Sequence, residues 1–203
     1  MPLRTCLFDL GNVLVFFSHE RMCRQIGELV GASEAEVRAI LLGTPLQLDF
    51  ESGRKTAAQV HTELDRFFAS STNLADFERA ASDIFVLNEP MVPLLDELKN
   101  NGVRLVLLSN TCSSHFQFVE NQFDLLSRFD DFTASYRAGA TKPFDRIYED
   151  ALARIQCEPG ECFYTDDIAE YIDAAKRFGI DAEVFESAEH TREQLVNRGA
   201  LPR

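Results

Sequence analysis

The sequence is short of positive charge, of paired cysteines and of long apolar runs, and each shortage removes a class of protein. Lys and Arg number 20 against 33 Asp and Glu, for a net charge of −13. That balance argues against a nucleic acid or an anionic membrane as a large partner surface, while a small anionic ligand in a local positive pocket stays open. Cys6, Cys23, Cys112, Cys157 and Cys162 are odd in number and contain no C-x-x-C pair. They fit reduced packing thiols in a cytoplasmic protein better than a disulfide frame or a zinc site. No run approaches the ~18–20 apolar residues of a membrane span. The opening apolar stretch is broken by Arg4 and Asp9, so no signal peptide is expected. Internal repeats and low-complexity tracts are missing too. What is there is a globular composition, 203 residues with 45% hydrophobic, enough for one good-sized core and a small accessory domain, working as a monomer or homodimer.

The most informative segment is Leu7-Phe8-Asp9-Leu10-Gly11-Asn12-Val13-Leu14. An apolar run ending in an acid and then Gly-Asn is how a buried parallel strand delivers a carboxylate to the carboxyl edge of its sheet. Asp9 is therefore a candidate nucleophile. The same octet also reads as an ordinary turn, with Gly11 a candidate for a positive φ.

The order of elements gives the fold class. Residues 3–8 read as a strand, and every periodic segment from 17 to 87 is helical. Ser18 caps a helix ending at Gly31, Ser33 with Glu36 forms a capping box for one reaching Gly43, Thr56 caps a third, and Leu74, Phe77, Ala81 and Ile84 mark a fourth. The many phenylalanines there read as core, and Phe16, Phe17, Phe50, Arg54 and Lys55 fall near a hinge or tip. From about residue 90 helix and strand alternate: helices over 91–100, 114–123, 144–156 and 168–178, strands at 103–108, 131–135, 162–165 and 180–185, and an amphipathic turn or two around Leu195. This is the pattern of an α/β doubly wound parallel sheet with an inserted helical-bundle cap, divided as 1–16 and 88–203 for the core and 17–87 for the cap. The strand ends and a loop then offer Asp9, Ser109 followed by Asn110, Lys142, and Asp166 with Asp167 to one edge. Two adjacent acids after a buried strand repel each other unless a cation offsets them.

The ordered set FDLGNVL, LVLLSNT, GATKP and FYTDD, the last followed by Ala174-Ala175, resembles the four motifs of the haloacid dehalogenase superfamily of phosphohydrolases, over the whole chain. The FDLGNV opening, and SNT with His115 four residues on, are most similar to the small-cap sugar-phosphate branch of the glucose-1-phosphatase type. The resemblance implies a Rossmann-like core and a Mg²⁺-dependent phosphatase of a small phosphorylated metabolite working through an aspartyl-phosphate. It implies Asp9 as nucleophile and Lys142 as its catalytic partner, Ser109, Asn110 and Lys142 on the phosphate, and Asp9, the Gly11 carbonyl, Asp166 and Asp167 on the metal. Asp167 is favoured for direct contact and Asp166 serves as a ligand or as a partner of the ligands.

One departure stands out. The family's common first motif is Asp-x-Asp, whose second carboxylate protonates the leaving oxygen and later activates water. Here Gly11 takes its place. General acid–base assistance is worth typically ~10²–10⁴-fold, so easy leaving groups should be favoured unless another residue substitutes. His19 is the nearest titratable candidate in sequence. Two other readings remain: a metal-independent 2-haloacid dehalogenase, against which the acids 166 and 167 speak, and a binding protein that keeps the fold without turnover.

Overall fold

The structure is a computed structural model that describes residues 3–202. The chain opens with β1 (Thr5–Phe8), turns into β2 (Val15–Phe17), and runs through five helices, α1 (His19–Val30), α2 (Glu34–Leu41), α3 (Leu46–Glu51), α4 (Ala57–Phe68) and α5 (Leu74–Ser82). It returns through β3 (Phe85–Leu87), antiparallel to β2. Helices and strands then alternate through α6 (Met91–Asn100), β4 (Arg104–Ser109), α7 (Ser113–Gln122), β5 (Asp131–Ala134), α8 (Ser135–Ala138), α9 (Asp145–Leu152), β6 (Cys162–Asp166), α10 (Ala169–Arg177), β7 (Asp181–Val184) and α11 (Ala188–Asn197).

Five of the strands form one parallel sheet in the order β5-β4-β1-β6-β7. β1 lies in the middle and is buried at every position, as a strand covered on both faces must be. Its period of two splits the core. Cys6 and Phe8 join Met91, Leu95, Phe116 and Leu195 on one face. Leu7 joins Ile147, Tyr148 and Ile172 on the other. β1 therefore cannot slip by one residue without exchanging its two faces, and that register fixes where Asp9 emerges.

The five helices between β2 and β3 have a core of their own, built on Met22, Ile26, Val37, Leu64 and Phe77 and closed from the sheet side by Cys112. The expected caps form: Ser18 accepts from the Arg21 amide, Gly31 ends α1 in the left-handed region, and both capping boxes, Ser33 with Glu36 and Thr56 with Gln59, are reciprocal. α2 stops at Leu41, with Leu42 rather than Gly43 as its right-handed C-cap.

Other features also depart from the sequence reading. α3 is a fifth helix, too short at six residues for periodicity and lacking a side-chain cap behind Pro45. The ribbon β2–β3, three residues a strand, lies where only helices were expected; the side chains of Phe16 and Val86 are exposed, so alternation is hidden. α11 is ten residues long rather than a turn or two, capped by Ser187 on the His190 amide.

Candidate active site

The edge where β1, β4 and β6 end gathers the expected residues. The Asp9 amide donates to the Thr165 carbonyl (3.1 Å), which fixes its backbone against β6. The chain then turns tightly: the amides of Leu14 and Val15 both donate to the Leu10 carbonyl (3.0 and 2.9 Å) and that of Asn12 to Val15 (2.8 Å). None of these bonds uses the Gly11 carbonyl. The positive φ in this turn belongs to Asn12, at 56°, a conformation that Asn adopts more readily than most residues. Space at Gly11 is tight instead: a Cβ there would sit 2.9 Å from the Phe17 ring, which would have to shift. The Asn12 side chain donates to Asp167 Oδ2 (2.9 Å) and ties the first loop to the β6 loop.

Lys142 is the electrostatic centre. Its side chain is buried, and Nζ donates to the Leu108 carbonyl (3.1 Å), the Tyr164 hydroxyl (3.2 Å) and Asp166 Oδ2 (2.5 Å). Those three bonds use all three ammonium protons. Nζ also lies 2.8 Å from Asp9 Oδ1, an ion pair by distance, yet Oδ1 is buried without a hydrogen-bond donor. Asp9 has the Lys142 ammonium beside it as counter-ion, and Oδ1 keeps room for a further partner. Burial pushes the Asp9 carboxyl up, to about 7, and Asp166 adds to the rise while Lys142 opposes it. Burial would depress Lys142, but Asp9 and Asp166 override it and hold the ammonium above its ordinary value.

The two adjacent acids have different surroundings. Asp166 is fully buried and saturated: Oδ2 accepts from Lys142 and Tyr164, and Oδ1 accepts from the Ile168 amide (2.9 Å). Asp167 lines the cavity, with the Asn12 bond on Oδ2. One carboxylate oxygen each from Asp9, Asp166 and Asp167 lies within 4.8 Å of the others. With an orphaned buried oxygen on Asp9, this all-oxygen set fits a hard divalent cation.

Ser109 ends β4, buried, and lines the cavity with Asn110 and Thr111. The Asn110 side chain is used on the backbone of Lys142, accepting from its amide (2.7 Å) and donating to its carbonyl (3.1 Å). It positions the Lys142 loop. His19 and His115 both reach the cavity, a space of about 240 Å³ between the strand ends and the five helices. The Phe17 ring packs on His19 (5.0 Å) and Phe85 stands edge-on to His115 (5.2 Å), so one wall is aromatic. Burial lowers His115 to about 4, and its Nε2 lies 3.1 Å from the Ala81 carbonyl, an arrangement for a neutral ring donating there. Phe16, Arg54 and Lys55 do not line the cavity: Arg54 pairs with Asp49 (2.7 Å) and Lys55 with Glu63 (2.5 Å), and Phe50 packs in the helical core. The residues that sequence reasoning passed over are Tyr164, Tyr171, Gln47 and Glu51. Gln47 and Glu51 sit on the helix that periodicity could not show.

An open parallel sheet whose strand ends converge a buried acid, an ammonium and an acid pair defines an α/β enzyme of the kind that works at its carboxyl edge. The chain belongs to the haloacid dehalogenase-like hydrolases, whose family profile matches residues 3–179. It is 31% identical over 182 residues to a sesquiterpene phosphatase of Aspergillus oryzae, covering 87% of each chain. It is 23% identical over 207 residues to the phosphatase MT3486 of Mycobacterium tuberculosis, covering 97% of this chain and 93% of the other. Its fold matches a haloacid dehalogenase family enzyme of Bacteroides thetaiotaomicron, solved with magnesium and inorganic phosphate, at a TM-score of 0.79 and 23% identity over 91% of this chain and 95% of the other.

Proposed function

We propose that the chain is a Mg²⁺-dependent phosphatase of a small phosphorylated metabolite, with Asp9 as nucleophile, residues 1–16 and 88–203 as its catalytic core and 17–87 as a cap over the site. The observation that carries this is Oδ1 of Asp9, a buried carboxylate oxygen that lies 2.8 Å from Lys142 Nζ and has no hydrogen bond from the described residues. The Lys142 ammonium is shared between two buried carboxylates, Asp9 and Asp166, so a bound cation would complete the neutralisation of a costly buried charge. The two phosphatases among the relatives support the same reading.

The ion would be held by Asp9, Asp167 and the Gly11 carbonyl, with Asp166 as the residue that aims Lys142, since both of its oxygens are engaged. When bound, Mg²⁺ would neutralise phosphoryl oxygens and lower their repulsion of the attacking carboxylate. Ser109 and the backbone at Asn110 would hold the remaining phosphoryl oxygens, and Lys142 would balance the charge that develops on them. Metal-free dehalogenation fits the site less well. Without a metal, a carboxylate substrate would meet the carboxylates of Asp9 and Asp167 with no added cation to offset their repulsion. A sugar phosphate is the leaving group that the motif resemblance suggests. The wall of Phe17, Phe85, Ile84 and Ile168 instead favours an apolar alcohol, in keeping with the sesquiterpene phosphatase relative. Among the described residues no helix is long and apolar enough to cross a membrane, and we place the protein in the cytoplasm as a monomer or homodimer.

Purified protein should release phosphate from a panel of sugar, acyl, aryl and isoprenoid phosphates in Mg²⁺ and fall silent in EDTA, and Asp9→Asn should lose turnover while keeping its Tm. Undiminished hydrolysis by Asp9→Asn would remove Asp9 from the chemistry.

A further inference from the structure

Gly11 leaves the reaction without the proton donor that its position supplies elsewhere in the family, and Phe17 closes the space a side chain there would use. We propose that Glu51, at the end of α3, is the general acid and base of this site, delivered from the helical block across the cavity; this rests on the phosphatase reading above.

Three observations converge on Glu51. It lines the same cavity as Asp9 and Lys142. Its side chain is held at one oxygen only: Gln47, one turn earlier in α3, donates to Oε1 at 2.6 Å, and no hydrogen bond from the described residues reaches Oε2. Its backbone is fixed to the sheet domain. The Ser135 hydroxyl donates to the Glu51 carbonyl (2.6 Å) and accepts from the Thr111 amide (2.9 Å), so the loop after β4 and the end of α3 share one hydroxyl. Two residues on, Gly53 has φ +69°, and a Cβ there would lie 2.3 Å from the Tyr136 carbonyl, an approach that only glycine permits. Glu51 thus has a carboxyl free to act and a backbone that cannot drift from the site.

Burial favours the protonated form that a proton donor needs. Burial raises the Glu51 carboxyl above its ordinary value, against the bond from Gln47 and the charge of Lys142. Cys112 and Tyr171 face it as well, and both stay protonated, raised chiefly by burial and in part by Glu51 itself. His19 and His115 reach the cavity too: burial lowers His19 below its ordinary value, and His115 Nε2 lies 3.1 Å from the Ala81 carbonyl.

The step balances. As Asp9 attacks phosphorus and the bond from phosphorus to the leaving oxygen breaks, the Glu51 proton passes to that oxygen and releases the alcohol, leaving an aspartyl-phosphate and a Glu51 carboxylate. That carboxylate then removes a proton from the water that attacks the phosphoryl group. Asp9, hydrogen phosphate and protonated Glu51 result.

The test compares Glu51→Gln with wild type, as full-length protein in Mg²⁺, on an alkyl phosphate and on 4-nitrophenyl phosphate, whose leaving group departs without a proton. We expect kcat/KM to fall by about 10²-fold or more on the alkyl phosphate and by no more than about five-fold on the aryl ester. The retained aryl activity also reports that the variant is folded. The wild-type alkyl-phosphate rate should decline as pH rises through the Glu51 pKa, and that limb should vanish in the variant. Equal losses on both esters, no loss on either, or a selective alkyl loss on His19→Gln instead would overturn the assignment while leaving the phosphatase reading in place. A wild type inert to every phosphate monoester in Mg²⁺ would overturn both.

Discussion

The strand ends and the helical block that faces them are built on opposite principles. At the strand ends Lys142 and Asp166 are over-determined: Lys142 has three hydrogen bonds and an ion pair, and Asp166 has bonds on both oxygens. Across the cavity Glu51 has one side-chain bond, and His19 has an aromatic neighbour in Phe17. A rigid edge can hold charges that repel one another until substrate and metal arrive. A lightly tethered opposite wall can change its side chains with little cost to the fold, which is where differences in leaving group and in proton delivery are accommodated.

The sharpest way to break that contrast is to remove the centre of the rigid side. Lys142→Met deletes the only charge within ion-pair distance of both Asp9 and Asp166 among the described residues. Breaking a buried pair by removing one partner costs about 3–5 kcal/mol. Chemical denaturation should report a loss of that size, recovered in part by Mg²⁺, and phosphate release should disappear. A stability change below about 1 kcal/mol would mean that water enters the site and replaces the ammonium.

Next in size is the difference between neighbours. Asp166→Asn should destabilise the metal-free protein by about 1–3 kcal/mol, because it weakens charge-assisted bonds to Lys142 and Tyr164. Asp167→Asn should leave stability nearly unchanged and instead weaken Mg²⁺ affinity by an order of magnitude or more. Calorimetric Mg²⁺ titrations that coincide for the two variants would remove the division of labour between them.

That division was half legible in the sequence. The edge was readable because parallel strands concentrate chemistry at their ends: Asp9, Ser109, Lys142, Asp166 and Asp167 all meet there from segments up to 158 positions apart in the sequence. Adjacency of Asp166 and Asp167 could not say which acid is saturated, since that depends on Tyr164 and Lys142 arriving from other elements. Asn110 looked like a ligand contact and its side chain is a brace for the Lys142 loop. Glu51 was invisible because α3 is six residues long and its tether, Ser135, lies 84 positions away. The glycine at 11 pointed to a positive φ, whereas that angle belongs to Asn12 and Gly11 lies against the ring of Phe17.

At the boundary between the two sides, His115 makes the comparison sensitive to pH. Its ordinary value is 6.5 and burial lowers it to about 4 in the folded state. Between those values the unfolded chain binds a proton that the folded one refuses, so stability must rise with pH through this window and fall as the pH drops from 6.5 towards 4. The loss is on the order of 2 kcal/mol, and His115→Gln should flatten the denaturation midpoint over the same range. A slope identical in the variant would place the acid sensitivity elsewhere.

The smallest expected effect lies at Gly11, where the two sides touch. Gly11→Asp would restore the family's second carboxylate two residues from Asp9, but its Cβ would approach the Phe17 ring to 2.9 Å. The ring is a side chain at the cavity wall and can turn aside, so overpacking should cost only about 1 kcal/mol, the low end of such changes. The single variant should then gain nothing on alkyl phosphates, because carboxylate and ring compete for one space. With Glu51→Gln removing the proposed acid, Gly11→Asp combined with Phe17→Ala should exceed Phe17→Ala by roughly ten-fold on alkyl phosphates and hardly at all on aryl ones. A ten-fold gain from Gly11→Asp by itself would mean that Phe17 is a mobile flap rather than the reason glycine stands at this position, and the aromatic wall would then belong to the moving part of the molecule.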